Sequence, residues 1–155
     1  MFFDELDDVL AAAATLAALP YVRPDHVYVA GHSVGGTLAI LASMRSSRFR
    51  ADASFSGSPD QRAWSAPQLE LVPFDPGNAE EMGIRSPIAY ATSFLCPARL
   101  DHGADERLFA ASTAKLAELA QNKGLDVRAI PVAGDHVSHV AEAMARSIEF
   151  FREKE

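Results

Sequence analysis

The sequence predicts an α/β protein built in three layers, α/β/α, around a short and mostly parallel sheet of about four strands. Two observations predict it. Short β-branched and aromatic runs alternate along the chain with longer runs of helical composition, the order produced by parallel strands with right-handed helical crossovers. Within that alternation, Val27-Tyr28-Val29-Ala30-Gly31-His32-Ser33-Val34-Gly35-Gly36-Thr37-Leu38 reads as a strand, a glycine-flanked turn and the start of a helix.

The elements follow in order. Asp4 to about Leu19 is an amphipathic helix with acids in its first turn, as the helix dipole favours, and Pro20 and Pro24 end it. His26–Ala30 is a strand whose unbroken apolar character suits cover on both faces. A helix runs from Val34 to Arg45, and a second strand from Ala51 to Ser56. Residues 57–95 are the irregular connecting part, holding Trp64, with short helices expected at 78–82 and, after the Ser86-Pro87 start signal, at 87–94. Ala98–His102 is the third strand. Glu106–Lys123 is a long helix closed by Gly124, Asp126–Pro131 the fourth strand, and His136 leads into a last helix to about Lys154.

Length and composition set limits on function. At 155 residues the chain forms one domain, 1–155, able to bury about two thirds of its extended surface. A net charge of −7 without a basic cluster argues against nucleic acid as a partner. One cysteine, Cys96, excludes an internal disulfide and suits a reducing compartment. The acidic start is unlike a signal peptide, and the longest apolar run, Val9–Leu19, is too short to span a bilayer. The expectation is a soluble, cytoplasmic protein without membrane contact.

The turn at Ser33 carries the chemistry. A serine at the tip of a sharp strand-to-helix turn needs neighbours without bulk, and Gly31 and Gly35 provide them. The Val34 N–H, at the start of the helix, lies where an oxyanion would form. Ser33 needs a base and a carboxylate that orients the base. In a parallel sheet such groups gather beyond the carboxyl ends of the strands. Asp105 and Glu106 follow the third strand, and His136 and His139 follow the fourth, all at the edge that bears Ser33. The reading favours His136 as base with His139 as substitute, and Asp105 as acid with Glu106 as substitute. His32 is expected to point away from Ser33, and Asp135 to shape the turn. No metal or organic cofactor is required.

With these residues the chain resembles the α/β-hydrolase superfamily, within it the dienelactone-hydrolase and prolyl-oligopeptidase-like branch. The elbow Gly31-His32-Ser33-Val34-Gly35-Gly36 carries the resemblance. So do the order nucleophile, acid, histidine, the run Cys96-Pro97-Ala98-Arg99-Leu100-Asp101-His102-Gly103-Ala104-Asp105-Glu106, and Gly134-Asp135-His136. The resemblance implies Ser33 as nucleophile, Asp105 as acid, His136 as base and the Val34 amide as an oxyanion donor. The sequence departs from the family in two ways. The family spaces its acid three residues after the glycine, whereas Asp105 is two after Gly103. The strands and oxyanion loop that precede the elbow in the family have no counterpart, so the fold is expected to be a truncated one.

The expected function is a serine hydrolase acting on a carboxylic ester or related small acyl substrate. The alternatives are a prolyl-oligopeptidase-like peptidase and a catalytically weak hydrolase remnant that binds or assembles. The elbow strand, lacking a neighbour on one side, predicts a homodimer.

Overall fold

The computed structural model describes residues 2, 4–62 and 72–155; Trp64 and the rest of 63–71 lie outside them. Four strands, β1 (Val27–His32), β2 (Phe49–Phe55), β3 (Ala98–Gly103) and β4 (Val127–Val132), pair in parallel in the order β1-β2-β3-β4. The helices are α1 (Asp4–Ala17), α2 (Val34–Arg45), α3 (Ala79–Ile84), α4 (Arg107–Gln121) and α5 (Val140–Arg152), with a 3₁₀ turn at Pro87–Tyr90.

The period-2 alternation of each strand sorts its side chains between two helical layers. Val27 and Val29 of β1 pack with Ala13 of α1 and with Ala39 and Ala42 of α2. Leu100 of β3 and Val127 of β4 pack on the same side with Ile40 and Met44 of α2 and Leu116 of α4. On the opposite face Ala53, Phe55 and Val132 meet Ala143 of α5. Tyr28, pointing away from its valine neighbours, stacks on Phe151 of α5 with ring centroids 4.7 Å apart. These are the three layers that the alternation predicted. Among the described residues β1 is an edge strand, paired only with β2.

Several boundaries differ from the sequence reading. β1 continues through Gly31 and His32, because both still pair with Ser54 and Phe55 of β2, so the turn begins only at Ser33. The Pro87 helix is a single 3₁₀ turn that stops at Tyr90 instead of reaching Phe94. The last helix starts at Val140, four residues later than expected. Asp135 accepts hydrogen bonds from the backbone N–H groups of Val137 and Ser138 and holds 135–139 in a separate turn. No helix among the described residues is long and apolar enough to cross a membrane.

Candidate active site

Ser33 sits between β1 and α2 with φ 57 and ψ −118, a conformation that a residue with a Cβ adopts at a cost of roughly 1–3 kcal/mol. Its backbone N–H donates to the Phe55 carbonyl at 2.8 Å, which ties the turn to the end of β2. The sharpness of the turn explains Gly31, whose Cβ would lie 2.2 Å from the Gly35 carbonyl oxygen. The expectation that Gly35 is needed for the same reason is not met, since a Cβ there would have no atom within 4 Å. The second tight position is Gly36, where a Cβ would come within 2.9 Å of the Gly57 nitrogen and Ser54 Oγ. Ser33 makes no capping hydrogen bond to its own helix, so its hydroxyl is left to other partners.

The partner is His136. Its Nε2 lies 3.0 Å from Ser33 Oγ, and its Nδ1 lies 2.5 Å from Glu106 Oε1. The carboxylate can only accept, so Nδ1–H donates to Glu106 and Nε2 is left to accept from Ser33. Asp105, the acid favoured from sequence, is exposed and is not the residue against the imidazole; Glu106 is. The reason is local. The Glu106 N–H donates back to the Gly103 carbonyl at 3.0 Å, closing a turn that returns the chain over the end of β3 and leaves Asp105 at its apex. The three-residue step from Gly103 reaches the imidazole; the two-residue step does not.

Glu106 Oε2 accepts from the Gly103 N–H at 2.7 Å and from the Ser56 hydroxyl. Burial pushes the Glu106 carboxyl upward, but the hydrogen bonds from Ser56, His136 and Gly103 outweigh it and hold the group below its ordinary value. The Glu106 side chain is 7% exposed and that of His136 38%, so the carboxylate is shielded while the imidazole can be reached from outside.

The loops bearing Glu106 and His136 pack directly on each other. A Cβ on Gly103 would lie 2.6 Å from the Gly134 carbonyl oxygen, and Gly134 itself has φ 116. Asp135 shapes the turn, as expected, and the N–H groups and Ser138 hydroxyl it accepts from lower its carboxyl to about 2.

One histidine acts differently from the sequence reading, and another has a partner that the reading did not name. His32 is directed at the histidine turn: its Nε2–H donates to the His136 carbonyl at 2.7 Å, and the two rings are 4.8 Å apart. His139, the substitute base, is fully buried and bonds Asp135 and Ser56 instead of Ser33. Ser56 was missed as a site residue, and its only signal was its place at the end of the second strand. His102 is buried and donates Nδ1–H to the Gly103 carbonyl at 3.1 Å, a structural bond.

The cleft beside Ser33 is lined by Phe2, Val34, Thr37, Ser56, Ser58 and Phe109, and its volume of about 10 Å³ suits a single water. Val34 begins α2, with its N–H at the helix N-terminus next to Ser33. Among the described residues no group of three or more His, Cys, Asp or Glu is arranged to hold a metal ion.

A strained serine between strand and helix, with a histidine and a carboxylate delivered from the ends of later parallel strands, is the arrangement of the α/β hydrolases. The chain belongs to the prolyl oligopeptidase family, which it matches over residues 4–154. Its fold is similar to that of the Pyrococcus horikoshii acylaminoacyl peptidase (20% identity, TM-score 0.85, 99% of this chain and 28% of that one). It is also similar to dipeptidyl peptidase 4 of Porphyromonas gingivalis (20%, 0.85, 99% and 23%) and to an esterase/lipase from an uncultured bacterium (20%, 0.77, 99% and 61%). The chain thus spans about a quarter of the two peptidases and three fifths of the esterase. No curated protein matches it.

Proposed function

We propose that the chain is a serine hydrolase that cleaves a carboxylic ester or related acyl substrate through an acyl-enzyme on Ser33. The observation that carries this reading is the unbroken contact chain Ser33 Oγ–His136 Nε2 and His136 Nδ1–Glu106 Oε1. His136 takes the Ser33 proton as the hydroxyl attacks the carbonyl carbon, then returns it to the leaving alcohol. Glu106 holds the imidazole in the required tautomer and stabilises the imidazolium formed during attack. The Val34 N–H donates to the developing oxyanion, aided by the α2 dipole. Water then attacks the acyl-enzyme with His136 again as base, releasing the acid and restoring Ser33.

Family membership favours a second reading, in which the acyl group belongs to a peptide. A third reading is a weak hydrolase that acts by binding, with the Val34 N–H as its sole oxyanion donor; the loss of one such donor lowers turnover by about 10²–10³. Hydrolysis of p-nitrophenyl acetate and of an aminoacyl p-nitroanilide, each compared with Ser33→Ala, separates the three. The ester should be cleaved in a Ser33-dependent way and the anilide much more slowly. Preferential anilide cleavage supports the peptidase, and no Ser33-dependent cleavage of either refutes the enzyme.

A further inference from the structure

We propose that Ser56 and His139 are positioning residues that lock the Glu106 carboxylate from behind. They form a second serine–histidine pair on the far side of the acid, and the proposal rests on the reading of Ser33, His136 and Glu106 given above.

Ser56 directly follows β2 and has φ 48, a left-handed conformation uncommon for a residue with a Cβ. Its N–H donates to the Asp101 carbonyl at 2.7 Å, so the strained backbone is pinned to β3. Its hydroxyl, 2% exposed as a residue, is directed at Glu106 Oε2. A buried hydroxyl is unfavourable unless hydrogen-bonded. Glu106 supplies that bond, and of its three donors only Ser56 belongs to an element other than β3 and the histidine turn.

His139 closes the other side. Its Nδ1–H donates to the Asp135 carbonyl at 2.7 Å, which turns Nε2 to within 3.2 Å of Ser56 Oγ. Ser56 has one proton and faces two acceptors, and the shorter contact assigns that proton to Glu106. The buried imidazole then fills the space on the other side of the hydroxyl. The same turn therefore brings His136 to Oε1 and, three residues on, His139 to the hydroxyl that holds Oε2. Gripped at both oxygens, the carboxylate can neither rotate away from His136 nor exchange its partners for solvent.

The groups facing Glu106 are the Gly103 N–H from β3, the Ser56 hydroxyl beyond β2, and His136 from the turn before α5. His139 lies behind Ser56, with the His32 ring 4.8 Å from that of His136 and 6.3 Å from that of His139. Removing the Ser56 hydroxyl takes away one of the bonds that hold the Glu106 carboxyl low, and burial then pushes it upward.

Ser56→Gly deletes the hydroxyl and relieves the left-handed strain, so a purely structural role would leave it stable and reactive. The test is the rate of fluorophosphonate labelling of the whole chain as a function of pH, with the melting temperature measured alongside. We expect Ser56→Gly to label about 10–100-fold more slowly at neutral pH, the worth of one hydrogen bond to a charged group, with its acidic limb moved to higher pH. His139→Leu should shift in the same direction, and His139→Gln, which keeps a polar group near Ser56, should recover part of the rate. Parent-like rates and limbs in Ser56→Gly, or in both His139 variants should Ser56→Gly fail to fold, overturn the proposal. A parent chain that is not labelled at all overturns the underlying reading of Ser33, and this proposal falls with it.

Discussion

Glu106 Oε1 lies 2.5 Å from His136 Nδ1, while Asp105, its neighbour in sequence, stands exposed at the apex of the turn. The two acids differ by one backbone step, and the turn closed by the Glu106 N–H on the Gly103 carbonyl decides between them.

Glu106→Gln should therefore lower the acylation rate by roughly 10⁴, the effect of losing the tautomer-fixing carboxylate in the template triad. Asp105→Asn should leave it within about threefold, because an exposed acid near a helix start contributes only about 0.3–1 kcal/mol of stability. Burst kinetics with p-nitrophenyl acetate read both, and comparable losses in the two variants would remove Glu106 from its assigned place.

The two glycines flanking Ser33 should respond oppositely. Gly31→Ala forces a methyl into the Gly35 carbonyl and should open the elbow, with loss of activity and of several kcal/mol of stability. Gly35→Ala meets no atom within 4 Å and lies in α2, so it should fold and gain about 0.5–1 kcal/mol. Urea midpoints of the two variants provide the comparison; equal destabilisation would contradict the elbow geometry.

Above about pH 5, stability should fall as the pH rises. Burial raises Asp52, fully enclosed between β2 and Ser43 of α2, to about 8, and raises Asp101 to about 7 against the opposing pull of Arg146 and Arg99. Each group binds its proton more tightly folded than unfolded. Its contribution is complete below about pH 4, the ordinary aspartate value, and is lost as the pH climbs through the folded value. Asp52→Asn keeps the shape without the titration and should flatten the decline between pH 5 and 8 in denaturant midpoints. A variant with the parent's slope would show that Asp52 is not the source.

The layers and the position of the elbow were legible because each rests on local pattern: alternating strand and helix runs, and glycine next to a serine that must turn. His136 was legible for the same reason, being the histidine of a loop beyond the fourth strand. The choice of Glu106 over Asp105 was only half visible. The three-residue spacing from Gly103 pointed to it, but the turn that decides the matter is a backbone hydrogen bond that no side chain announces. Ser56 and the burial of His139 were not legible, since both depend on β2, β3 and the turn before α5 meeting at one edge. His32, expected only to point away from Ser33, has a partner that the sequence hides, a carbonyl on a loop 104 residues away.

Labelling by a fluorophosphonate, with the adduct located by peptide mass spectrometry, tests the central claim most directly. The parent chain should be modified on Ser33 alone. Ser33→Ala should take up no label, and His136→Ala should lose labelling while melting as the parent does. A folded parent that resists the probe, or a Ser33→Ala chain that is still modified, would contradict the assignment of Ser33 as the nucleophile.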